Sequence, residues 1–181
     1  IDLAENAGSV GTINIGAAAG EAAVAAGTLD VPTVDFVDGT GTLVFNHTGA
    51  TTFAAALTST GSGTHALDHY AGTTTLTGDS SGFQGTTTVY GGTLLVGDES
   101  GNGKLGGGVN VGADGTLGGS GTILGAATID GTLSAGNSPG TLTFANDLPL
   151  KATSTSVFEL NSPGVVGGTG AAGNDLVVVA G

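Results

Sequence analysis

Several stretches of this chain carry residue types that chemistry uses, and their spacing decides what each can do. Gly136-Asn137-Ser138-Pro139-Gly140 fits G-x-S-x-G, the strand-to-helix turn that lifts a nucleophilic serine. That chemistry needs a helix after the serine, then an acid and a histidine downstream. Here Pro139 follows the serine, another strand pattern follows that, and the last histidine of the chain is His69. The motif reads as a turn. Gly78-Asp79-Ser80-Ser81-Gly82 sets serines in a glycine-flanked loop with His65 and Asp68 upstream, the three side-chain types of a serine hydrolase. It falls where a repeated strand pattern turns, and the chain is short for a double-barrel hydrolase, so a turn is expected there too.

His65, Asp68 and His69 are metal-ligand types. On a helix, residues four apart would converge. On a strand, 65, 67 and 69 share one side and Asp68 opposes them. A solvated turn or strand end is the expected setting. Asp98-Glu99-Ser100-Gly101-Asn102-Gly103 opens like a calcium loop, but its twelfth position is Val109 where a bidentate glutamate is needed. Gly167-Gly168-Thr169-Gly170 with Gly173-Asn174-Asp175 is only loosely like a calcium-binding nonapeptide, and it occurs once. No catalytic, metal-binding or cofactor-binding residue is assigned, and the chain reads as a non-enzyme without a cofactor.

Charge narrows the partners. Of 181 residues two are basic, Lys104 and Lys151, against 15 acids, for a net charge of −13. Phosphate backbones require clustered Lys and Arg, so nucleic acid is excluded as a partner. An anionic membrane surface would repel the chain as well. No apolar run is long enough to span a bilayer as a helix, so no direct membrane insertion is expected of this segment. Charged residues are only 9%, which leaves a surface of Thr, Ser, Asn and Gly. Cysteine is absent, which removes disulfides and thiolate metal sites. There is no Met, and residue 1 already lies in a patterned segment, so a piece of something longer is expected.

The elements come from periodicity. Between Gly108 and Phe144, short apolar pieces arrive about every six to twelve residues, separated by Gly, Asn, Asp or Ser. They are Val109–Val111, Gly115–Leu117, Gly121–Ile123, Ala127–Ile129, Gly131–Leu133 and Thr141–Phe144. Within each, an apolar residue alternates with Thr, the period of a strand with one wet face. Leu117, Ile123, Leu133, Leu142 and Phe144 are expected inside. Further strands are expected at Ser9–Ile15, Gly27–Val31, Val34–Val37, Gly41–Asn46, Phe53–Leu57, then after a glycine-spaced segment over Gly61–Leu67 at Thr73–Thr77, Thr86–Val96 split at Gly91-Gly92, Leu148–Leu150, Thr155–Leu160 and Leu176–Val179. Phe158 and Leu160 are expected inward. Gly16–Ala26 reads as a loop, with a short helix as the competing reading. Gly-Thr-Leu or Gly-Thr-Ile recurs at Gly11, Gly27, Gly41, Gly92, Gly115, Gly121, Gly131 and Gly140. Irregular repeats of this kind suit a parallel β-helix, whose coils can lengthen their loops. The competitor is an antiparallel sandwich, because Asp38-Gly39, Asn102-Gly103, Asp114-Gly115 and Asp130-Gly131 are hairpin-turn pairs.

One family has this order of pieces. Gly61-Ser62-Gly63-Thr64, Gly72–Gly78 (GTTTLTG), Phe83–Val89 (FQGTTTV) and Gly91–Gly97 (GGTLLVG) together resemble the autotransporter-associated β-strand repeat. Leu117–Ile123, Ala135–Leu142 and Asn174–Val179 resemble its continuation and closing strand, so the match covers about the last two thirds of the chain. It departs at His65, where the repeat has Leu, and over Gly16–Phe36. The resemblance implies a right-handed β-helical passenger of a Gram-negative autotransporter, with a C-terminal translocator barrel elsewhere in the protein. The expectation is thus an all-β right-handed parallel β-helix of about nine coils. It has less regular coils over 1–60, repeat-matching coils over 61–144 and C-terminal coils over 145–181. Its expected role is a non-catalytic stalk or adhesin at the cell surface, contacting a host surface or itself. A polysaccharide lyase or glycosidase on the β-helix, and an ice-binding solenoid, are the alternatives.

Overall fold

A computed structural model describes residues 1–136, 139–167 and 173–181. Seventeen strands and no helix are found among them. In chain order they are β1 (Asp2–Leu3), β2 (Val10–Gly16), β3 (Val24–Ala25), β4 (Thr33–Phe36), β5 (Thr40–Phe53), β6 (Ala56–Ser59), β7 (Thr64–Leu76), β8 (Asp79–Ser80) and β9 (Thr86–Val96). Then follow β10 (Lys104–Leu105), β11 (Gly108–Gly119), β12 (Thr122–Ile123), β13 (Ala127–Ile129), β14 (Thr132–Ala135), β15 (Thr141–Phe144), β16 (Thr155–Val157) and β17 (Leu176–Val179).

Every ladder between these strands is parallel. That excludes the sandwich, whose hairpins would pair antiparallel. The fold is a parallel β-helix. One face stacks β1, β4, β6, β8, β10, β12, β15 and β17 in eight rungs. Its two ladders join where the Leu57 amide donates to the Ser80 hydroxyl across 2.9 Å. The long strands bend around a corner, so β5, β7, β9 and β11 each serve a second and a third face. The division shows where β13 pairs with Val109–Val111 and β14 with Thr116–Gly119 of the same strand. Eight rungs replace the nine expected, and at about 4.8 Å each they make a rod of roughly 35–40 Å.

Turns of unequal length keep one register. Asp2 pairs with Asp35, Thr33 with Ala56, Asp79 with Lys104, Lys104 with Thr122, Thr122 with Thr143 and Thr141 with Leu176, turns of 33, 23, 25, 18, 21 and 35 residues. The surplus goes into the loops between strands, because a one-residue slip within a strand would turn its core side chains to water. The Gly-Thr-Leu units therefore stack on one another. Gly11-Thr12-Ile13 lies on Gly41-Thr42-Leu43, and Gly92-Thr93-Leu94 lies on Gly115-Thr116-Leu117. The five predicted core residues Leu117, Ile123, Leu133, Leu142 and Phe144 are all buried, and Leu117 pairs with Leu133 as Ile123 does with Phe144.

Some expectations are corrected. Leu148–Leu150 is not a strand, and only Leu150 pairs there, in an isolated bridge with Ile129. Gly27–Val31 is not a strand; the chain runs there as a loop whose Ala26, Leu29 and Val31 pack on the core, after the short β3 at the corner. Thr86–Val96 is one strand, since Gly92 takes φ +69° and turns the corner without ending the strand. Phe158 and Leu160 lie outside, 45% and 76% exposed, beyond the end of β16 at Val157.

Candidate functional site

Inside a β-helix, each inward position continues a file of side chains from rung to rung. One file reads Ile15, Phe45, His69, Val89, Val111, Ile129. A histidine thus stands where every neighbour in line is apolar. Buried polar atoms need partners, and His69 finds them at the corner. Its Nδ1 lies 2.8 Å from the Gly91 carbonyl, and its Nε2 lies 3.1 Å from Thr74 Oγ1. His47 reaches the same hydroxyl through Nε2 at 2.8 Å. All three side chains are fully buried.

The network fixes its own protons. A carbonyl only accepts, so Nδ1 of His69 carries the proton and its Nε2 must accept. Thr74 gives its single hydroxyl hydrogen to that Nε2. Its oxygen then receives the Nε2–H of His47. The chain of donors runs from His47 through Thr74 and His69 to Gly91. Burial pushes the His69 pKa down to about 4, the Gly91 hydrogen bond opposes this, and the charge of His47 would add to it. The His69 ring is therefore neutral near pH 7.

His65 makes a second such chain one coil side away. Gln84 N–H donates to Ser59 Oγ across 3.0 Å, Ser59 donates to His65 Nδ1 across 2.9 Å, and His65 Nε2 donates to the Val37 carbonyl across 2.7 Å. A serine on a histidine is the geometry of an activated nucleophile. Yet the Ser59 oxygen is already held by an amide, and it does not line the neighbouring depression of about 400 Å³, whose wall is Ser62, Thr64, His65, Gln84, Thr86 and glycines. The pair ties three rungs together.

The motifs with chemical residue types resolve separately. His65 and His69 do share the inner side of β7, with Leu67 between them and Asp68 opposite, and burial replaces the solvated setting expected. Partial burial raises the Asp68 pKa. Ser80 points inward and caps Leu57 N, so it is no nucleophile beside His65. Asp98 folds its loop by accepting the Ser100 and Asn102 amides at 3.0 and 3.1 Å. Among the described residues, no three of His, Asp and Glu gather as a metal shell would require. Asn137 and Ser138 of the G-x-S-x-G turn, and residues 168–172 of the glycine run, lie outside the described residues. Asp175 spends both oxygens on backbone amides, of Gly140 at 3.0 Å and Glu159 at 2.6 Å.

The outer surface has one feature that sequence reading passed over. Tyr70 and Tyr90, on adjacent rungs, stack with centroids 4.7 Å apart and planes 9° from parallel. They are the only tyrosines of the chain. Partial burial, then the nearby Asp68 and Tyr90, raise the Tyr70 pKa. Comparing β7 with β9 at an offset of 20 would have revealed the pair, since Ala66–His69 align with Thr86–Val89 and Thr73 with Thr93. On the third face a file of threonines, Thr73, Thr93, Thr116, Thr132 and Thr155, occupies five consecutive rungs. The file two residues on reads Thr75, Leu95, Gly118, Ser134, Val157 and has no such regularity. Neither a protein-family model, nor a curated protein, nor a solved structure matches this chain.

Proposed function

We propose that the chain is a non-catalytic segment of an autotransporter passenger, a stalk or adhesin held at the cell surface that makes contacts with a host surface or with its own kind. The reading rests on the resemblance of its repeat units, and the observation that best supports it is that those Gly-Thr-Leu units stack in register along a solenoid. An elongated rod with an apolar interior and an acidic, hydroxyl-rich exterior suits a spacer that presents faces and loops. Among the described residues, the polar groups that imitate active sites are spent on the fold, and other acids are spent in the same way. Asp35 accepts Thr58 and Thr60 hydroxyls at 2.7 and 2.5 Å, and Asp38 accepts the Ser62 amide at 3.0 Å. A translocator barrel elsewhere in the protein belongs to this proposal, and nucleic acid does not.

Ice binding is the second reading, favoured by the threonine file. A lattice match needs at least two parallel files, and the one containing Leu95 and Gly118 weighs against it. The experiment is display of the chain on a bacterial surface, with aggregation and attachment to host cells measured against a bare strain, alongside thermal hysteresis and polysaccharide cleavage by the purified chain. Aggregation or attachment with neither of the other two is expected. A gene whose reading frame lacks any outer-membrane barrel, or robust glycan cleavage, would overturn the proposal.

A further inference from the structure

The stack of Tyr70 on Tyr90 has one open end. Tyr70 stands on β7, so the other face of the Tyr90 ring looks along the rod axis toward β11. In every ordinary file the next rung would supply a side chain to cover it. Here β11 bulges, with Val111 opposite Val89 and Asp114 opposite Gly91, so that Gly112 and Ala113 together oppose Tyr90. Bulges re-aim side chains and interrupt a file. Gly112 offers no side chain, and Ala113 is exposed and small. The result is a shelf one rung deep. Its wall is the free face of Tyr90, itself 49% exposed, and its floor is the backbone of Gly112.

The rim is polar. Asn110, exposed and two residues before Gly112, continues an outward file that includes Asp68, Thr88 and Thr128. Asp114, also exposed, stands at the far end of the bulge. An aromatic face is electron-rich and attracts the polarised C–H bonds of a flat, weakly polar ring laid parallel to it. Asn110 can donate and accept, and Asp114 can accept, which suits hydroxyls at the ring's edge. Neither Lys104 nor Lys151 belongs to this rim, and the chain carries a net −13, so an anionic ligand has nothing to pair with.

We propose that this shelf binds a neutral pyranose sugar, stacked as a third layer on Tyr70 and Tyr90. The inference deepens the reading of the chain as a contact-making surface segment, and rests on it. It gives that contact a ligand class, a neutral surface glycan.

The chain supplies its own probe. It has two tyrosines and no tryptophan, so its near-ultraviolet absorption and tyrosine emission report this stack above all else. Titration with neutral hexaoligosaccharides of glucose, mannose, galactose, xylose and N-acetylglucosamine should give a saturating tyrosine difference spectrum with at least one of them, below about 10 mM. Tyr90→Ala should abolish it. Gly112→Val should weaken binding by about tenfold or more while the melting temperature and the near-ultraviolet signature of the stack stay unchanged. A Cβ at Gly112 meets nothing closer than the Val89 carbonyl oxygen at 3.4 Å, so Gly112→Ala fits without a clash and is the milder filler. No spectral change with any of the five sugars, sugar binding that leaves the tyrosines silent, or undiminished binding by both Gly112 variants would overturn the site. If those variants fail in this way while displayed chains still aggregate cells, the sugar site falls and the contact-making reading stands.

Discussion

The rings of His47 and His69 meet edge to face inside the rod, 6.2 Å between centroids and 81° apart, and both lean on the one hydroxyl of Thr74. That hydroxyl can donate once. Protonating His69 would make it a donor at both nitrogens, so Thr74 would have to receive two N–H groups and send its own hydrogen elsewhere. The apolar file around His69 offers no acceptor for that hydrogen.

Acid should therefore loosen the coils from β5 to β9 first. The folded-state pKa of His69 is depressed from 6.5 to about 4, so the unfolded chain binds the proton more readily. The stability held by the neutral ring is complete above about pH 6.5 and declines as the pH falls from there to about 4. The loss over that window is on the order of 3 kcal/mol. The other titratable groups nearby are His47, on the same network, and Asp68 and Tyr70, on the outer side of β7. Urea melts of the native chain and of His69→Val across this range check the point. The variant should lose the slope, and equal slopes would show that His69 does not titrate here.

Thr87 should be better as valine. It is fully buried between Leu67 and Val109 in its file, and its hydroxyl has no partner. An unpaired buried hydroxyl costs about 1–3 kcal/mol. Thr87→Val keeps the shape and removes that cost, so the chemical-denaturation midpoint should rise with an unchanged slope. A lower midpoint would mean that the hydroxyl has a partner in solution.

Two corner glycines separate backbone strain from crowding. Gly49 and Gly72 both take left-handed φ, +77° and +85°. A Cβ at Gly49 meets nothing within 4 Å, whereas one at Gly72 would lie 2.5 Å from the His47 ring and from its carbonyl oxygen. Gly49→Ala should cost about 1–2 kcal/mol, the penalty of the left-handed region alone. Gly72→Ala should cost clearly more, and should also disturb the histidine network. Equal costs by thermal melting would place the His47 ring elsewhere.

Much of this architecture is legible in the chain because period-two alternation is a local property. Thr141–Phe144 and Gly115–Leu117 announce their inner residues by themselves. What escapes is set by neighbours on other rungs. His69 looks like a surface histidine until Phe45 and Val89 are found above and below it. The Tyr70–Tyr90 pair needs the 20-residue offset between two strands, and the shelf beside it needs a bulge in a third. Phe158 and Leu160 follow a strand pattern, but β16 stops at Val157 and the alternation alone does not reveal which neighbours a rung will have.

The β17 end of the rod should be adhesive. In the 181-residue chain taken by itself, β17 pairs among the described residues with β15 alone, and around it Leu160, Val166 and Val179 are exposed, Val166 to 86%. Open edges with apolar side chains recruit further strands. Val178→Lys should lower the association of the 181-residue chain seen by sedimentation velocity, with the central coils still folded. A concentration-independent monomer for the native sequence would refute it.

Because each strand holds only the rungs on either side, the rod has the mechanics of a stack of plates rather than of a globule. Load pulled along the axis is carried by one rung boundary at a time, so the terminal plate peels while the rest stay seated. Each plate that yields releases a length of slack set by its own turn, about 60 Å for the 18-residue turn between Lys104 and Thr122. The unequal turns that cost nothing in register thus become unequal increments of give, largest at the 33-residue turn between Asp2 and Asp35 and the 35-residue turn between Thr141 and Leu176.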